Sequence, residues 1–391
     1  MLSKFDEIIN RKNTDSLKHD FALQRGKPED ILPLWVADMD FKTPQAIIAA
    51  LVDKSQHGIF GYSESSREYF KVLQNWFANY FDWEIKPAWL VKTPSVVFAI
   101  CAALRALTVQ GDAVLIQEPV YYPFAESILL NQRKLVVNQL LYQDGKYHID
   151  FADFETKIRE NSVKLFILCS PHNPVGRVWT KIELLRLGEI CLKYNVLVIA
   201  DEIHADFVYQ GYRHLVFANL RMEFSQQTIT CTAPTKTFNL AGLQISNIFI
   251  ENKTLRHKVQ EEIAKSGYSQ LNIMGMTACK AAYTNGREWL LELNEYLAKN
   301  IAFVQSFLIA RVPKVKLVEP EGTYLVWLDF QELGLSKLQL EELIIHQAGL
   351  WLDAGEMFGA GGAGFQRINI ACPLAVLEKA LLQLEKAINQ L

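Results

Sequence analysis

The chain has 391 residues, half of them hydrophobic, with a net charge of −3 at pH 7 spread over interspersed acids and bases. That length allows one large domain beside a smaller one, and the balanced charge argues against a nucleic-acid surface. Apolar runs such as Val196 to Ala200 have strand length rather than membrane length, "MLSKFDEIIN" at the start lacks the pattern of a signal peptide, and the six cysteines form no C-x-x-C pair; a soluble cytoplasmic protein with reduced thiols and no metal is expected.

In chain order, Lys92 to Ile100 reads as a turn feeding an apolar helix, with Ser95 as its cap and the amides of Val96 and Val97 free at its N-terminus. Strands are expected at Asp112 to Gln117, Lys134 to Leu140, Val163 to Cys169, Val196 to Ala200 and Thr228 to Ala233, with amphipathic helical segments such as Lys181 to Asn195 between several of them. Continuous apolar strands separated by helices predict an α/β fold whose mostly parallel sheet is buried on both faces. The last hundred residues read instead as a smaller α+β unit. Hairpin-like strands at Lys314 to Val318 and Thr323 to Asp329 precede a closing helix with Leu377, Leu381, Leu384, Ile388 and Leu391 on one stripe.

Three strands end in polar groups that a packed core does not need. The strand from Val163 to Cys169 runs into "SPHNPVGR" with Asn173, that from Val196 to Ala200 into Asp201-Glu202-Ile203-His204, and that from Thr228 to Ala233 into Thr235-Lys236. Each has an ordinary reading by itself: Asn-Pro as turn punctuation, Asp201 and Ser95 as helix caps, Lys236 as a solvated charge. Ligands of such sheets sit beyond the carboxyl ends of the strands, where an amide, a carboxylate and an amine would converge. That set suits pyridoxal phosphate. An amine among Ala233, Pro234, Phe238 and Leu240 loses the water that favours its ammonium form and can condense with an aldehyde. A carboxylate keeps the pyridine nitrogen protonated, an amide donates to the ring oxygen, and a helix N-terminus cradles phosphate.

Five segments, "LPLWVADMDF" at 32–41, "SPHNPVGRVW" at 170–179, "DEIHADFVY" at 201–209, "APTKTFNLAGL" at 233–243 and "GFQRINIACP" at 364–373, stand in one order. With them the chain resembles the aspartate aminotransferase superfamily of pyridoxal phosphate enzymes, fold type I, and within it the cystathionine β-lyase branch. The resemblance implies a large domain at 48–286 and a small one formed by 1–47 and 287–391. It implies that Lys236 carries the cofactor as a Schiff base and later moves the Cα proton, that Asp201 pairs with the pyridine nitrogen, and that Asn173 meets the ring oxygen. Tyr121, with Tyr122 as the alternative, would stack on the ring, and the amides of Val96 and Val97 with the Thr235 hydroxyl would hold the phosphate. Tyr62 would reach the partner's phosphate across a homodimer interface, and Arg367 would bind the substrate α-carboxylate. The glycine-rich stretch from Gly355 to Gly364 reads as a mobile lip over the substrate.

Three positions depart from the aminotransferase pattern. His204 stands where a tyrosine often bonds the ring oxygen, Gln244 where an arginine often binds phosphate, and Ala233 where a serine is usual. The DEIH form is at home among the lyases. The expected activity is therefore β-elimination at a carbon–sulfur bond of an S-substituted cysteine such as L-cystathionine. The alternatives are an aminotransferase with the same residues and a regulatory protein that retains the fold.

Overall fold

The computed structural model describes residues 3–391. Its elements in chain order begin with β1 (Leu32–Pro33), α1 (Gln45–His57), α2 (Arg67–Phe81), β2 (Leu90–Thr93), α3 (Val96–Leu107), β3 (Ala113–Glu118), α4 (Pro123–Leu130) and β4 (Lys134–Gln139). A small hairpin, β5 (Leu141–Gln143) and β6 (Lys146–His148), leads to α5 (Phe151–Asn161), β7 (Leu165–Cys169), α6 (Lys181–Lys193) and β8 (Leu197–Asp201). Then come α7 (Met222–Ser225), β9 (Thr228–Thr232), α8 (Pro234–Thr237), β10 (Ser246–Phe249), α9 (Lys253–Lys265), α10 (Ile273–Asn285) and α11 (Arg287–Arg311). The chain closes with β11 (Lys316–Leu317), β12 (Leu325–Asp329), α12 (Lys337–Glu341), β13 (Leu350–Trp351), β14 (Asp353–Ala354), β15 (Phe365–Asn369) and α13 (Leu374–Ile388).

Seven strands form the main sheet in the order β2-β10-β9-β8-β7-β3-β4. The five strands from β9 to β4 are mutually parallel, and β10 is antiparallel to both of its neighbours. Both faces are buried, as the unbroken apolar strands require. On one face Leu115, Phe166, Leu168, Val198 and Ala200 pack with Phe154 and Ile158 of α5 and Leu184 and Leu187 of α6. On the other, Val114, Ile116, Ile167, Ile199 and Ile229 pack with α3 and α9. Each of the valines, leucines, isoleucines and phenylalanines contributes about 1.5–3 kcal/mol by leaving water.

A second, antiparallel sheet has the order β11-β12-β15-β14, and the short β1 pairs in parallel with β13. Leu377, Leu381 and Leu384 on α13 are buried, so the expected stripe exists. Leu391 departs from it: α13 ends at Ile388, and Leu391 is exposed to solvent. No helix among the described residues is long and apolar enough to cross a membrane.

Candidate active site

The topology brings the three polar strand ends side by side. Cys169 at the end of β7 registers with Asp201 at the end of β8, and Asp201 registers with Cys231 of β9. Because β10 reverses twice, β2 also runs in their direction and delivers Pro94 and Ser95 to the same edge. Ser95 caps α3 by accepting from the Phe98 amide at 3.1 Å, which leaves the first amides of the helix to face a ligand. Around these ends lies a cavity of about 170 Å³ lined by Ser95, Val96, Val97, Tyr121, Asn173, Asp201, His204, Thr235 and Lys236, with Ala37, Cys169 and Ile203 among its other walls. Nine residues expected at the site from sequence, counting the cap, thus share one cavity.

The charges there are tuned by burial. Lys236 Nζ donates to the Ala37 carbonyl at 2.8 Å. Burial, aided by the positive charge of Arg367, lowers its pKa to about 8. Asp201 moves the other way: burial raises it to about 7, although its carboxylate accepts from the Ile203 amide at 3.1 Å and feels Lys236. His204 is lowered to about 3 by burial, so its ring is neutral, and its Nδ1 is buried without a partner. Tyr121 is more than half buried against Phe124, and burial holds its phenol protonated.

Arg367 lies on β15 and is buried. Its Nη1 donates to Asn173 Oδ1 at 3.0 Å, its Nη2 donates to the Trp35 carbonyl at 3.0 Å and to Asp353, and its Nε is buried without a partner. With Oδ1 of Asn173 engaged, the NH₂ of that amide remains to donate elsewhere. Tyr62 is almost fully exposed and lies away from this cavity, beside a separate groove formed by residues 60–63 and 267–274. Gln244 is exposed as well. His172 is a buried structural group: its Nε2 meets the Pro119 carbonyl at 2.8 Å, and burial lowers it to about 4. The 355–364 stretch is not an open lip. It forms two tight turns in which Phe358 is buried and a Cβ on Gly355 would collide with the Gly362 carbonyl.

Two contributors lay outside the sequence reading. Tyr324 donates its hydroxyl to the same Ala37 carbonyl at 2.9 Å, and Asp353 holds Arg367. Tyr324 lies in the expected strand from Thr323 to Asp329 and Asp353 two residues before the glycine-rich stretch, and neither setting marks a site residue.

The donor set fits pyridoxal phosphate. It contains a buried carboxylate with an oxygen to spare, an amide NH₂, an amine with reduced proton affinity, an unpartnered imidazole nitrogen and free helix amides. Among the described residues, Lys236 is the only lysine or arginine lining the cavity. A phosphate there would depend on amides and hydroxyls.

The family model described as "Aminotransferase class I and II" matches residues 29–384. The chain is 42% identical to cystathionine beta-lyase PatB of Bacillus subtilis over 98% of its own length and 100% of that protein. It is 32% identical to protein MalY of Escherichia coli, with 98% of each covered. Among solved structures it matches cystalysin from Treponema denticola, which contains a pyridoxal 5'-phosphate cofactor, with a TM-score of 0.96 at 38% identity over 100% of both chains.

Proposed function

The chain belongs to the aminotransferase class I and II family, and from that premise we propose that it is a pyridoxal phosphate-dependent carbon–sulfur β-lyase. It cleaves L-cystathionine or another S-substituted cysteine to thiol, pyruvate and ammonia. The observation that carries this reading is the pairing of an amine lowered to about 8 with a carboxyl raised to about 7 in one buried cavity. Burial brings the two proton affinities toward each other, and strongly perturbed groups that face one cavity mark acid–base chemistry.

When bound, pyridoxal phosphate supplies an electron sink for a carbanion at the substrate Cα. The protein's residues do the rest. Asn173, Asp201 and His204 would hold the ring, with Tyr121 flanking it, and the Val96 and Val97 amides with the Ser95 and Thr235 hydroxyls would hold the phosphate. Asp201, costly as a bare buried carboxylate, would gain a cationic partner in the protonated ring nitrogen and stay ionised. Arg367 fixes the substrate α-carboxylate. Lys236 accepts the Cα proton at Nζ, and its depressed proton affinity keeps a useful fraction neutral near pH 7. The carbonyl of Ala37 and the hydroxyl of Tyr324 set the position of that nitrogen. The thiolate then leaves from Cβ.

A homodimer completes the site by bringing Tyr62 of one subunit to the phosphate of the other, which accords with its exposure and with the lack, among the described residues, of a second cationic side chain in the cavity. The protein works in the cytoplasm, with residues 48–286 as its large domain and 1–47 with 287–391 as its small one. Incubation of the purified protein with cystathionine tests the activity: thiol and pyruvate should appear without a keto-acid acceptor. Amino transfer that depends on such an acceptor, with no thiol released, would place the protein among the aminotransferases instead.

A further inference from the structure

Asp353 and Arg367 are direct cross-strand partners on β14 and β15, so their side chains leave the same face of the sheet. The Asp353 carboxylate accepts from Arg367 Nη2, and both side chains are only 4% exposed. Arg367 does not need this contact to keep its place. Asn173 Oδ1 and the Trp35 carbonyl each accept from it at 3.0 Å, and its guanidinium lies 4.8 Å from the centre of the Phe358 ring. What Asp353 changes is charge. The pair is neutral as a unit, so an arriving carboxylate meets an arginine that has already been compensated.

We propose that Asp353 is an internal competitor of the substrate carboxylate, occupying Arg367 in the free enzyme and so setting the affinity of the site for carboxylate ligands. This rests on the reading of Arg367 as the carboxylate anchor. A docking carboxylate has the unpartnered Nε and the remaining N–H of Nη1 to use, and it must share one positive charge with a second anion. Burial already holds the Asp353 carboxyl above its usual range in spite of Arg367, and the other titratable group beside it is Tyr122 at the start of α4. Asp353 is thus a specificity-determining residue. It selects for ligands that bring binding energy beyond the carboxylate itself.

The test is calorimetric binding of 3-(methylthio)propionate to the holoenzyme. This probe carries the carboxylate and thioether of a substrate but has no amine with which to react. Asp353→Asn should bind it about tenfold more tightly than the unmodified protein, as expected for removing a like charge a few ångströms away. Asp353→Ser, which is smaller and serves if the amide variant folds poorly, should change affinity in the same direction. The gain should vanish when Arg367→Gln is added. Unchanged or weaker binding in both variants, or a gain that survives loss of Arg367, overturns the proposal. Thiol release from cystathionine by the unmodified protein is scored separately, so a failure there removes the lyase reading without touching the result for Asp353.

Discussion

Lys236 Nζ donates to the carbonyl of Ala37, a residue 199 positions earlier in the chain, at 2.8 Å. The amine is therefore held by backbone rather than by an acid, which keeps it near the ring without stabilising its charge as a carboxylate would. Replacing it tests the whole assignment. Lys236→Ala should lose both the visible absorbance of lysine-bound cofactor and turnover. The variant should remain folded in urea titrations, because the lost hydrogen bond is worth only about 1 kcal/mol and removal of a buried ammonium acts in the opposite direction.

The cofactor-free protein should show two opposed pH slopes in stability. Between 3.8 and 7 native Asp201 holds a proton that the unfolded chain has lost, so its contribution falls as pH rises. Between 8 and 10.5 the unfolded chain holds a proton that native Lys236 lacks, so stability from that group rises with pH. Urea titrations across pH should show the first slope removed by Asp201→Asn and the second by Lys236→Met. The Asp201 effect should be on the order of 2–4 kcal/mol at most.

Asn239 pins the wall opposite the lysine. Its Oδ1 accepts from the Met39 amide at 2.9 Å, and its Nδ2 donates to the carbonyls of Met39 at 3.0 Å and Phe41 at 3.1 Å. Its backbone is left-handed, with φ 57°. Asn239→Gly keeps that backbone without strain and removes only the three contacts. It should cost about 1–3 kcal/mol in urea unfolding and raise KM more than it lowers kcat. Asn239→Ala should cost about 1 kcal/mol more through the unfavourable backbone.

Asp40 compensates a buried cation. It accepts from Lys18, whose side chain is wholly buried, and from Arg11, each at 2.7 Å. Burial alone would raise its pKa, but Lys18, His19 and Arg11 outweigh burial and hold the carboxyl well below its usual range. Asp40→Asn should therefore destabilise by about 3–5 kcal/mol in a urea melt at neutral pH, because it strands Lys18. Adding Lys18→Met should recover most of that loss.

Local pattern made the centre of the site legible, and distance along the chain hid its rim. Asp201, Asn173 and Lys236 each follow an apolar strand closely enough that parallel pairing alone brings them together. Ser95 joins them because a cap before an apolar helix is recognisable by itself. Tyr324 and Asp353 carry no such local mark. Tyr324 acts through a carbonyl 287 residues away, and Asp353 matters because β14 registers with β15. The 355–364 glycines suggested mobility, yet Gly355 and Gly362 pack backbone against backbone where no Cβ fits. The exposure of Leu391 has a simpler cause, since the helix ends three residues before it.

The segment at 32–41 has a consequence for the order in which the protein can be made. Its carbonyls at Val36 and Asp38 are held by Asn369, that of Trp35 by Arg367, and Leu32 pairs with Leu350. A ribosome releases these partners only after more than three hundred intervening residues have emerged. Lys236 and Asn239 can hold Ala37, Met39 and Phe41 as soon as they emerge. The contacts on Trp35, Val36 and Asp38 wait for residues 367–369, so the wall behind the amine is fastened in two stages, the second near the end of synthesis.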